Sequence, residues 1–455
     1  MRATGVVSRR SLLLSTIFGA VSAAGLTACG QAAAPASQGG AQPAAAHAKN
    51  VKLTYWDPIP RPVTEDVYKK IITNYEAKNP GVTVEFLGVP QQTAREKYIN
   101  AVSTDSAPDV AFNSFLSELS AMNVLVDLTP YLAKWPEKSS FSNDVWDSLK
   151  FQSGGEAINA LPMWGTTDAL WYRTDWFKEK NLPAPDTYQQ MEAAARELTD
   201  KTNNRYGFTM RGGQGGYAYM INWMLSFAGA TRLFSDDGTC QLSQPDFVKG
   251  LEWYASLHYN GYTPPSSVTD AYQQMVGNFG SGTAAMMQHN NGSIAENKKN
   301  LKEGTFMSTP LPLGPKDKRA VPDASPLGPS VFKSSKNIDE AVKFALFLCE
   351  ADQLGPYCEA GAVLPMNKKV FDQDWIKTDP YWPGFIKSLS DPKSNVYRLP
   401  LYLPEWAQFT ETVALPSGQN LLTKKNTPEA TAEIWAQFLT PAMKRYLKDH
   451  PGFKP

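Results

Sequence analysis

The spacing of apolar residues along the chain changes repeatedly between a period of two and a period of three to four, which indicates strands alternating with helices. Residues 51–55 alternate apolar and polar positions, as a half-buried strand does. The next segment has Thr64 as its expected N-cap, ends at the turn formers 79–81, and carries four apolar residues on one helical face. Those four residues are Val67, Ile71, Ile72 and Tyr75. The pattern predicts a strand followed by a helix.

The same pattern then repeats. Val82, Val84 and Phe86 alternate with polar residues and predict a second strand, residues 93–103 predict a second helix, and residues 107–112 predict a buried third strand. Strands that alternate with helices in this way are typical of a parallel sheet. The sequence therefore predicts a βαβαβ unit wound as a parallel sheet at the start of the folded chain.

Later helices are indicated by capping signals and by one strongly apolar run. Residues 342–349 are apolar on nearly every side, which predicts a helix buried deep in a lobe. The capping signals are Thr187 with Gln190, Asn337 with Glu340, and Thr427 before Pro428.

Composition excludes several function classes. With 455 residues and 42% hydrophobic content the chain is too long for one ordinary core, so two domains are expected. The 44 basic residues equal the 44 acidic residues, and this balance gives no basic field for nucleic acid. The four histidines, which are His47, His258, His289 and His450, have no spacing typical of a metal site. We expect no metal, no other cofactor and no nucleic-acid partner.

Residues 1–29 have the pattern of a bacterial export signal. An arginine pair at 9 and 10 precedes an apolar stretch of about thirteen residues, which is shorter than the roughly 20 needed for a transmembrane helix. Leu26-Thr27-Ala28-Cys29 resembles the lipobox of bacterial lipoproteins, in which the cysteine becomes the lipidated first residue. The arginine pair resembles a twin-arginine signal with Leu12 in place of the usual Phe, so the export route stays open. We expect an extracytoplasmic protein anchored to the membrane through a lipid on Cys29.

Residues 30–49 contain no aromatic or branched aliphatic residue and predict a disordered tether. The mature chain would then hold 41 basic and 44 acidic residues, without a polybasic membrane-binding segment. It would also hold three cysteines, Cys240, Cys349 and Cys358. Two readings stay open for them: a disulfide between Cys349 and Cys358, or three buried unpaired thiols.

Five groups of motifs follow one another along the mature chain. They are Ala107-Pro108-Asp109-Val110 with Asn113; Val126 to Leu132; Leu161-Pro162 with Trp171 to Phe177 and Leu182 to Thr187; Phe279 to Met286; and Ser334 to Asn337 with Gly361 to Pro365. In this order they resemble the motifs of the family-one extracellular solute-binding proteins, the receptors of ABC importers that include maltose, multiple-sugar and glycerol-phosphate binders. The chain departs from the family pattern at Arg173, Tyr188 and Thr283, where Asn, Trp and Lys are usual.

The resemblance implies an α/β, two-lobe periplasmic-binding-protein-like fold of type II, with the ligand cleft between lobes joined by a hinge. Lobe one would comprise residues 50–163 and 330–375, and lobe two residues 164–329 and 376–455. The implied function is capture of a carbohydrate, a di- or oligosaccharide, outside the cytoplasmic membrane and its delivery to the transmembrane permease subunits of an ABC importer. We expect a monomer and no enzymatic activity.

A sugar offers flat C–H faces to aromatic rings and hydroxyl groups to polar side chains, so its receptor needs both kinds of residue. Aromatic and polar residues stand in the predicted cleft loops, at positions that match the family's cleft contacts. The predicted ligand-binding residues are Trp56, Asp57, Asn113, Trp164, Asp168, Tyr217, Trp223, Asn291, Tyr402 and Trp406. Trp56 and Trp164 stand beside turn formers, and we expect them to be exposed stacking platforms.

Other aromatic and charged residues are interpreted differently. Trp171, Trp176, Trp253 and Trp435 lie within apolar faces and are expected in the core. Arg398 is left with two readings, a contact to an anionic substituent or a solvated surface residue.

Two enzyme alternatives can be weighed on the sequence. Gly213-x-Gly215-x-x-Ala218 imitates a dinucleotide-binding motif, but it lies outside the first βαβ unit, and the acidic residues 236–237 belong to a predicted turn. A secreted carbohydrate-active hydrolase would need two nearby carboxyl groups, for which Asp57, Asp109 and Asp168 are the candidates. A binding protein without turnover is the favoured reading, and the hydrolase is its alternative.

Overall fold

Two larger sheets, of four and three strands and each covered by helices, organise the described chain, and two strand pairs lie beside them. The computed structural model describes residues 50–58, 62–155 and 157–455. The predicted export signal 1–29 with Cys29, and the predicted tether 30–49, lie outside the described residues.

The strands are short and come from all parts of the described chain. They are β1 (Val51–Asp57), β2 (Val82–Gly88), β3 (Val110–Asn113), β4 (Trp164–Gly165), β5 (Asp168–Tyr172), β6 (Met286–Asn290), β7 (Met307–Thr309), β8 (Arg319–Pro322), β9 (Gly328–Val331), β10 (Leu364–Pro365) and β11 (Ser394–Tyr397).

Helices connect and cover these strands. They are α1 (Pro62–Lys78), α2 (Gln91–Ser103), α3 (Leu116–Ala121), α4 (Thr129–Leu132), α5 (Asn143–Gln152), α6 (Thr174–Glu179), α7 (Tyr188–Glu197), α8 (Tyr217–Ala228), α9 (Pro245–Tyr259), α10 (Tyr272–Gly280), α11 (Ile294–Asn300), α12 (Ile338–Leu348), α13 (Ala351–Gly361), α14 (Asp374–Thr378), α15 (Pro383–Ser390), α16 (Trp406–Gln408), α17 (Leu415–Leu422) and α18 (Pro428–Asp449). A π-helical turn, Phe409–Ala414, joins α16 to α17.

The first sheet has the strand order β2-β1-β3-β9. Strands β2, β1 and β3 are parallel, which confirms the predicted βαβαβ unit, and β9 adds an antiparallel edge strand. Alternate side chains of β1 face opposite helical layers. Tyr55 contacts Tyr68 of α1 and Phe344 of α12, at ring distances of 5.3 and 5.6 Å, whereas Trp56 stacks on Tyr98 of α2 at 5.8 Å.

The second sheet has the order β6-β5-β7 and is antiparallel throughout. Its strand β5 carries Trp171, which is completely buried and packs edge-on against Phe385 of α15 at 5.3 Å. A second apolar layer forms between α8 and α9, where the rings of Trp223 and Trp253 lie 4.4 Å apart. The parallel pair β8 and β11 lies beside α8.

Three chain segments lie side by side between the two sheets. The main-chain N–H of Met163 donates to the carbonyl of Leu327 at 2.9 Å, and the N–H of Met366 donates to the carbonyl of Met163 at 3.0 Å. A Cβ on Gly165 would lie 2.1 Å from the carbonyl oxygen of Ala324, which only glycine permits. We call residues 161–166, 324–328 and 364–366 the crossing segments. They connect elements packed on the first sheet with elements packed on the second.

Two of the four predicted N-caps are confirmed. Thr187 and Gln190 form the predicted capping box, and the Thr427 side chain accepts the N–H of Ala430. The prediction for Thr64 is wrong, because α1 begins at Pro62 and Thr64 is a buried helical residue. Asn337 does precede α12, but its side chain accepts no capping hydrogen bond there.

The buried tryptophans and the cysteines resolve two further points. The four tryptophans predicted in the core, Trp171, Trp176, Trp253 and Trp435, are all buried.

The three cysteines of the described chain are buried and free, so the unpaired reading holds and no bridge joins Cys349 to Cys358. Among the described residues, no helix is both long enough and apolar enough to cross a bilayer.

Candidate functional site

A cluster of buried polar side chains lies where β5 begins and β6 ends. Asp168 is the first residue of β5, and Gln288 projects from β6 on the same face of the sheet. The Nε2 amide of Gln288 donates to Oδ2 of Asp168 at 3.1 Å and to Oδ1 of Asn222, on α8, also at 3.1 Å. This arrangement places a carboxylate at the beginning of β5, the central strand of the second sheet.

Two contacts from the core hold these amides in place. The indole Nε1 of Trp223 donates to Oε1 of Gln288 at 2.9 Å, and Nδ2 of Asn222 donates to the carbonyl of Ala320 at 2.7 Å. Gln288 and Asn222 are each 1% exposed and Trp223 is fully buried. The amide orientations are therefore determined by the protein interior.

A glycine-rich loop brings a positive charge to the same place. Arg211 precedes glycines 212, 213, 215 and 216, and its Nε donates to the carbonyl of Gln214 at 2.6 Å. Gly215 has a φ of +83°, and a Cβ there would lie 2.6 Å from the Arg211 Nη2 atom. The loop can fold against the guanidinium because this position has no side chain.

Burial and the neighbouring charge set the protonation of Asp168. Burial raises the pKa of its carboxyl group to about 6, although the hydrogen bond from Gln288 and the positive charge of Arg211 both lower this pKa. Burial, assisted by Arg211, lowers the pKa of His289 to about 3. At neutral pH the cluster therefore holds one carboxylate, one guanidinium and an uncharged imidazole.

Tyrosine hydroxyls surround the carboxylate. Burial, and then the negative charge of Asp168, raise the pKa values of Tyr219 on α8 and Tyr397 on β11, so both stay protonated. The ring of Tyr217 meets the ring of Trp406 edge to face at 5.8 Å, and the ring of Tyr272 lies 5.0 Å from His289. Aromatic rings and hydroxyl groups thus flank the charged pair.

Some buried donors near this cluster have no partner. Within the described part of the chain, Nδ2 of Asn291 and Nε1 of Trp164 are buried without a hydrogen bond. Asn291 is held beside Asp168, because its Oδ1 accepts the N–H of Thr167 at 3.0 Å. A buried donor left unpaired costs about 1–3 kcal/mol, so a bound molecule with acceptor oxygens would recover part of this free energy.

The structure brings together only some of the predicted residues. Asp168, Tyr217, Asn291 and Trp406 lie in or beside the cluster described above. Trp223, predicted as a cleft contact, is fully buried and donates its indole N–H to Gln288 of the cluster. The reason is that α8 begins at Tyr217, which leaves Trp223 well inside the helix on its core side.

Tyr402 is the second predicted ligand contact that lies in an aromatic core. It is 7% exposed and packs on Phe151, Tyr446 and Phe453, with ring distances of 4.6 to 4.9 Å. It belongs to an aromatic core around the end of the chain, where its hydroxyl donates to Sδ of Met443 at 3.6 Å.

The predicted residues of the first sheet lie at the carboxyl ends of its strands. Asp57 ends β1 and is buried, and Asn113 ends β3, where its Nδ2 donates to Ser330 at 2.9 Å. Trp164 is 5% exposed and stacks on Phe112 at 5.3 Å, so it is not the exposed platform that its neighbouring glycine suggested.

Trp56 is also covered rather than open. Tyr98 stacks against its ring at 5.8 Å, and the ammonium group of Lys97 lies 4.6 Å from the ring centroid. Both contacts come from α2, which turns the indole toward that helix. Ligand binding on either ring face would require one of these side chains to move.

Several residues of the cluster were not predicted as ligand contacts. They are Arg211, Tyr219, Asn222, Tyr272, Gln288, His289 and Tyr397. Gln288 and His289 belong to strand β6, directly before the predicted contact Asn291. The sequence does contain a signal for Arg211. Four of the five residues that follow it are glycines, and a loop of glycines can fold closely around a charged side chain.

The carboxylates do not support a hydrolase. Asp109, at the start of β3, accepts from the main chain and hydroxyl of Thr54 at 2.8 and 2.9 Å and from the hydroxyl of Ser335 at 2.6 Å. These are structural contacts within the first sheet. Arg398 is likewise engaged, because its Nε donates to Asp323 at 3.0 Å and its Nη2 donates to the carbonyl of Asp144 at 3.2 Å. No group of metal-binding side chains occurs among the described residues.

Comparisons with known proteins identify a family and a fold. The profile of the bacterial extracellular solute-binding proteins matches residues 61–353, more than half of the chain. A protein of Brucella abortus is 23% identical over 378 residues, which cover 81% of this chain and 87% of the relative.

Solved structures agree with this match. The sugar-binding protein MalE of Xanthomonas citri is 21% identical, with a TM-score of 0.74 over 88% of this chain and 100% of that chain. A solute-binding protein of Thermotoga lettingae, bound to α-D-tagatose, is 20% identical, with a TM-score of 0.71 over 86% of this chain and 100% of that chain. These similarities confirm the predicted α/β fold of two lobes.

The raised pKa of Asp168 predicts a specific pH dependence of stability. An aspartate has a pKa of about 3.9 when unfolded, so between pH 4 and pH 6 the folded protein binds more protons at Asp168 than the unfolded chain does. The contribution of Asp168 to the free energy of unfolding therefore falls as pH rises through this window. Asp168→Asn, which cannot ionise, should gain about 2 kcal/mol relative to wild type between pH 4 and pH 7.

Urea unfolding at pH 4, 5, 6 and 7 measures this difference. Asp237→Asn is the matched control, because three hydrogen bonds from Ser235 and Thr239 lower the pKa of Asp237 to about 2 and keep it ionised throughout the window. Its difference from wild type should not change with pH. A flat difference for Asp168→Asn as well would contradict the burial of an ionisable carboxyl group at this position.

Proposed function

The chain belongs to the bacterial extracellular solute-binding proteins, and on this basis we propose that it captures a carbohydrate outside the cytoplasm and delivers it to the permease of an ABC importer. The observation that carries the carbohydrate assignment is the buried polar cluster around Asp168. It combines a carboxylate acceptor, tyrosine hydroxyls and unpaired N–H donors with the aromatic pair Tyr217 and Trp406.

The charge of the cluster supports an uncharged ligand. Asp168 and Arg211 offset one another, and His289 is neutral at physiological pH. Since these protein charges already offset one another, a charged ligand group would be buried here without a counter-charge from the protein. Burying an unpaired charge is costly. A sugar meets the requirement, because its hydroxyl groups both donate and accept hydrogen bonds. The similar proteins whose names describe a sugar-binding protein and a tagatose complex support the same choice.

We propose that the two lobes close over this ligand by bending at the crossing segments. The lobes would be residues 50–163 with 330–375 and residues 164–329 with 376–455.

Arg398 connects α5 with Asp323, the residue that follows β8, through its hydrogen bonds to Asp144 and Asp323. It is also the residue directly after Tyr397 of the polar cluster. The carboxyl ends of β1 and β3, with Asp57 and Asn113, would form the opposite wall, because open α/β sheets bind ligands beyond the carboxyl ends of their strands. We propose that the protein acts as a monomer and binds without turnover.

A thermal-shift screen tests the ligand assignment. Residues 50–455 would be screened against mono-, di- and trisaccharides that include tagatose and maltose. A sugar present at 100 times its Kd should stabilise the folded protein by about 2.7 kcal/mol, because it binds only the folded state. The bound sugar should be recovered unchanged after incubation, whereas hydrolysis would contradict the proposed function.

A matched pair of tyrosine variants locates the binding site. Tyr397→Phe removes a hydroxyl from the polar cluster, whereas Tyr402→Phe removes one that contacts only Met443 in the aromatic core. Calorimetry with any sugar found in the screen should show affinity lowered about tenfold for Tyr397→Phe and unchanged for Tyr402→Phe. Equal affinities for both variants would place the sugar elsewhere.

We also propose that the mature protein is a lipoprotein. Leu26-Thr27-Ala28-Cys29 supports lipidation at Cys29, and residues 30–49 would then act as the tether between the lipid and the folded body. Cys29→Ser should move the protein from the membrane fraction to the soluble fraction of cells that express the full chain. Retention of this variant in the membrane fraction would contradict the anchor.

A further inference from the structure

We propose that Gln288 fixes which oxygen of Asp168 the ligand meets, and that Trp223 is a positioning residue that acts through Gln288. The inference rests on the proposed function, since it concerns the same cluster. It assigns roles to two residues that do not themselves touch the ligand, and it defines the hydroxyl group that the ligand must supply.

Counting hydrogen-bond donors establishes the role of Gln288. A glutamine amide has two N–H groups, and Nε2 of Gln288 has two acceptors, Oδ2 of Asp168 and Oδ1 of Asn222, each at 3.1 Å. Both N–H groups are therefore used within the protein. Because Gln288 is also 1% exposed, it has no donor left to offer a ligand.

Trp223 prevents the amide from turning over. Its Nε1 is a donor only, and it lies 2.9 Å from Oε1 of Gln288. In the reversed orientation, the Gln288 N–H groups would face the Trp223 N–H, and Oε1 would face two acceptor oxygens. Asn222 cannot reverse to compensate, because its Nδ2 donates to the carbonyl of Ala320 at 2.7 Å. The network therefore has one satisfactory arrangement.

This arrangement distinguishes the two oxygens of Asp168. Oδ2 accepts from Gln288, so Oδ1 is the oxygen that remains for a ligand. At neutral pH the carboxylate accepts hydrogen bonds and donates none, and the ligand must present a hydroxyl donor at this point. A ligand with a methoxy group or no oxygen at that position would leave Oδ1 of Asp168 without a donor, which lowers affinity.

The other charged and hydroxyl groups described around Asp168 make no hydrogen bond to its carboxylate. Arg211, from the glycine-rich loop, donates through its Nε to the carbonyl of Gln214. The tyrosines whose pKa values respond to the charge of Asp168 are Tyr219 of α8, Tyr254 of α9 and Tyr397 of β11, but no hydrogen bond joins any of them to its carboxylate. Within the described residues, Gln288 is the side chain that donates to it.

Infrared titration of the ligand-free protein tests the positioning role without any sugar. The carboxyl band that disappears in Asp168→Asn is followed from pH 4 to pH 8. Trp223→Phe removes the indole N–H, which frees the Gln288 amide to turn and weakens its donation to Asp168. Because that donation lowers the pKa of Asp168, the titration midpoint should move upward.

Trp253→Phe is the matched control. Its ring lies 4.4 Å from the ring of Trp223, but its Nε1 donates to Glu192 at 3.0 Å, away from Gln288. This variant makes a similar change in packing and should leave the midpoint where it is in wild type. A midpoint that moves equally in both variants would mean that packing, and not the N–H of Trp223, controls Asp168.

Gln288→Met provides a second test if Trp223→Phe folds poorly. It keeps a side chain of similar length and removes both donors, so the midpoint should again move upward. The double variant should show no further upward shift beyond Gln288→Met alone, since Trp223 acts only through Gln288. An unchanged midpoint in Gln288→Met, or an additional shift in the double variant, would overturn the proposal.

Calorimetry with maltose and tagatose separates this inference from the proposed function. If wild type binds either sugar, Trp223→Phe and Gln288→Met should each bind it about tenfold more weakly, and Trp253→Phe should bind it normally. Normal binding by both test variants would overturn the positioning role. If wild type binds no sugar of the wider panel while the midpoint shifts occur as expected, the carbohydrate assignment fails and the positioning of Asp168 stands.

Discussion

Holding the carboxylate of Asp168 in a partly buried position is the requirement to which the surrounding side chains respond. A charged group removed from water is costly unless hydrogen bonds and an opposite charge compensate it. Gln288 supplies the hydrogen bond, and Arg211 supplies the charge. Because compensation is incomplete, the pKa of Asp168 is still raised to about 6. A ligand hydroxyl at this carboxylate would add a hydrogen bond that the protein alone does not provide.

The elements that meet this requirement come from distant parts of the chain. Asp168 is on β5, Gln288 is on β6, Asn222 is on α8, and Tyr397 ends β11. The antiparallel pairing of β5 with β6 places Asp168 opposite Asn290, which sets Gln288 beside the carboxylate on the same face. Thr167, the residue before Asp168, donates its hydroxyl to the carbonyl of Pro322 at 3.2 Å, and both residues lie within two positions of a crossing segment. A change in the relative position of the lobes would therefore reach the proposed binding residues.

Local patterns predicted those parts of the fold that local interactions determine. The first sheet was recovered because β1, α1 and β2 have clear periods and are separated by turn formers, and the Thr187 capping box involves residues only three apart. The burial of two residues that were predicted as ligand contacts has another cause. Trp223 and Tyr402 are aromatic residues near glycines or prolines, and their burial depends on helices α9 and α18, which pack on them from far along the chain.

The residues that the sequence missed illustrate the same limit. Gln288 is polar and follows an apolar run, which gives no local sign that its side chain is buried. Its buried oxygen is satisfied by Trp223, 65 positions away. No pattern in either segment alone contains this contact. Arg211 was passed over because its loop was considered only as a dinucleotide motif, although the glycines that surround it bring the backbone close to its own guanidinium.

The central claim is that a ligand is enclosed between two lobes that move about the crossing segments. Small-angle X-ray scattering of residues 50–455, with and without a saturating sugar, tests this claim most directly. Hinge closure brings the lobes together, so the radius of gyration should be smaller in the complex than in the free protein. An identical radius of gyration at demonstrated saturation would contradict enclosure by closure and would indicate a rigid pocket.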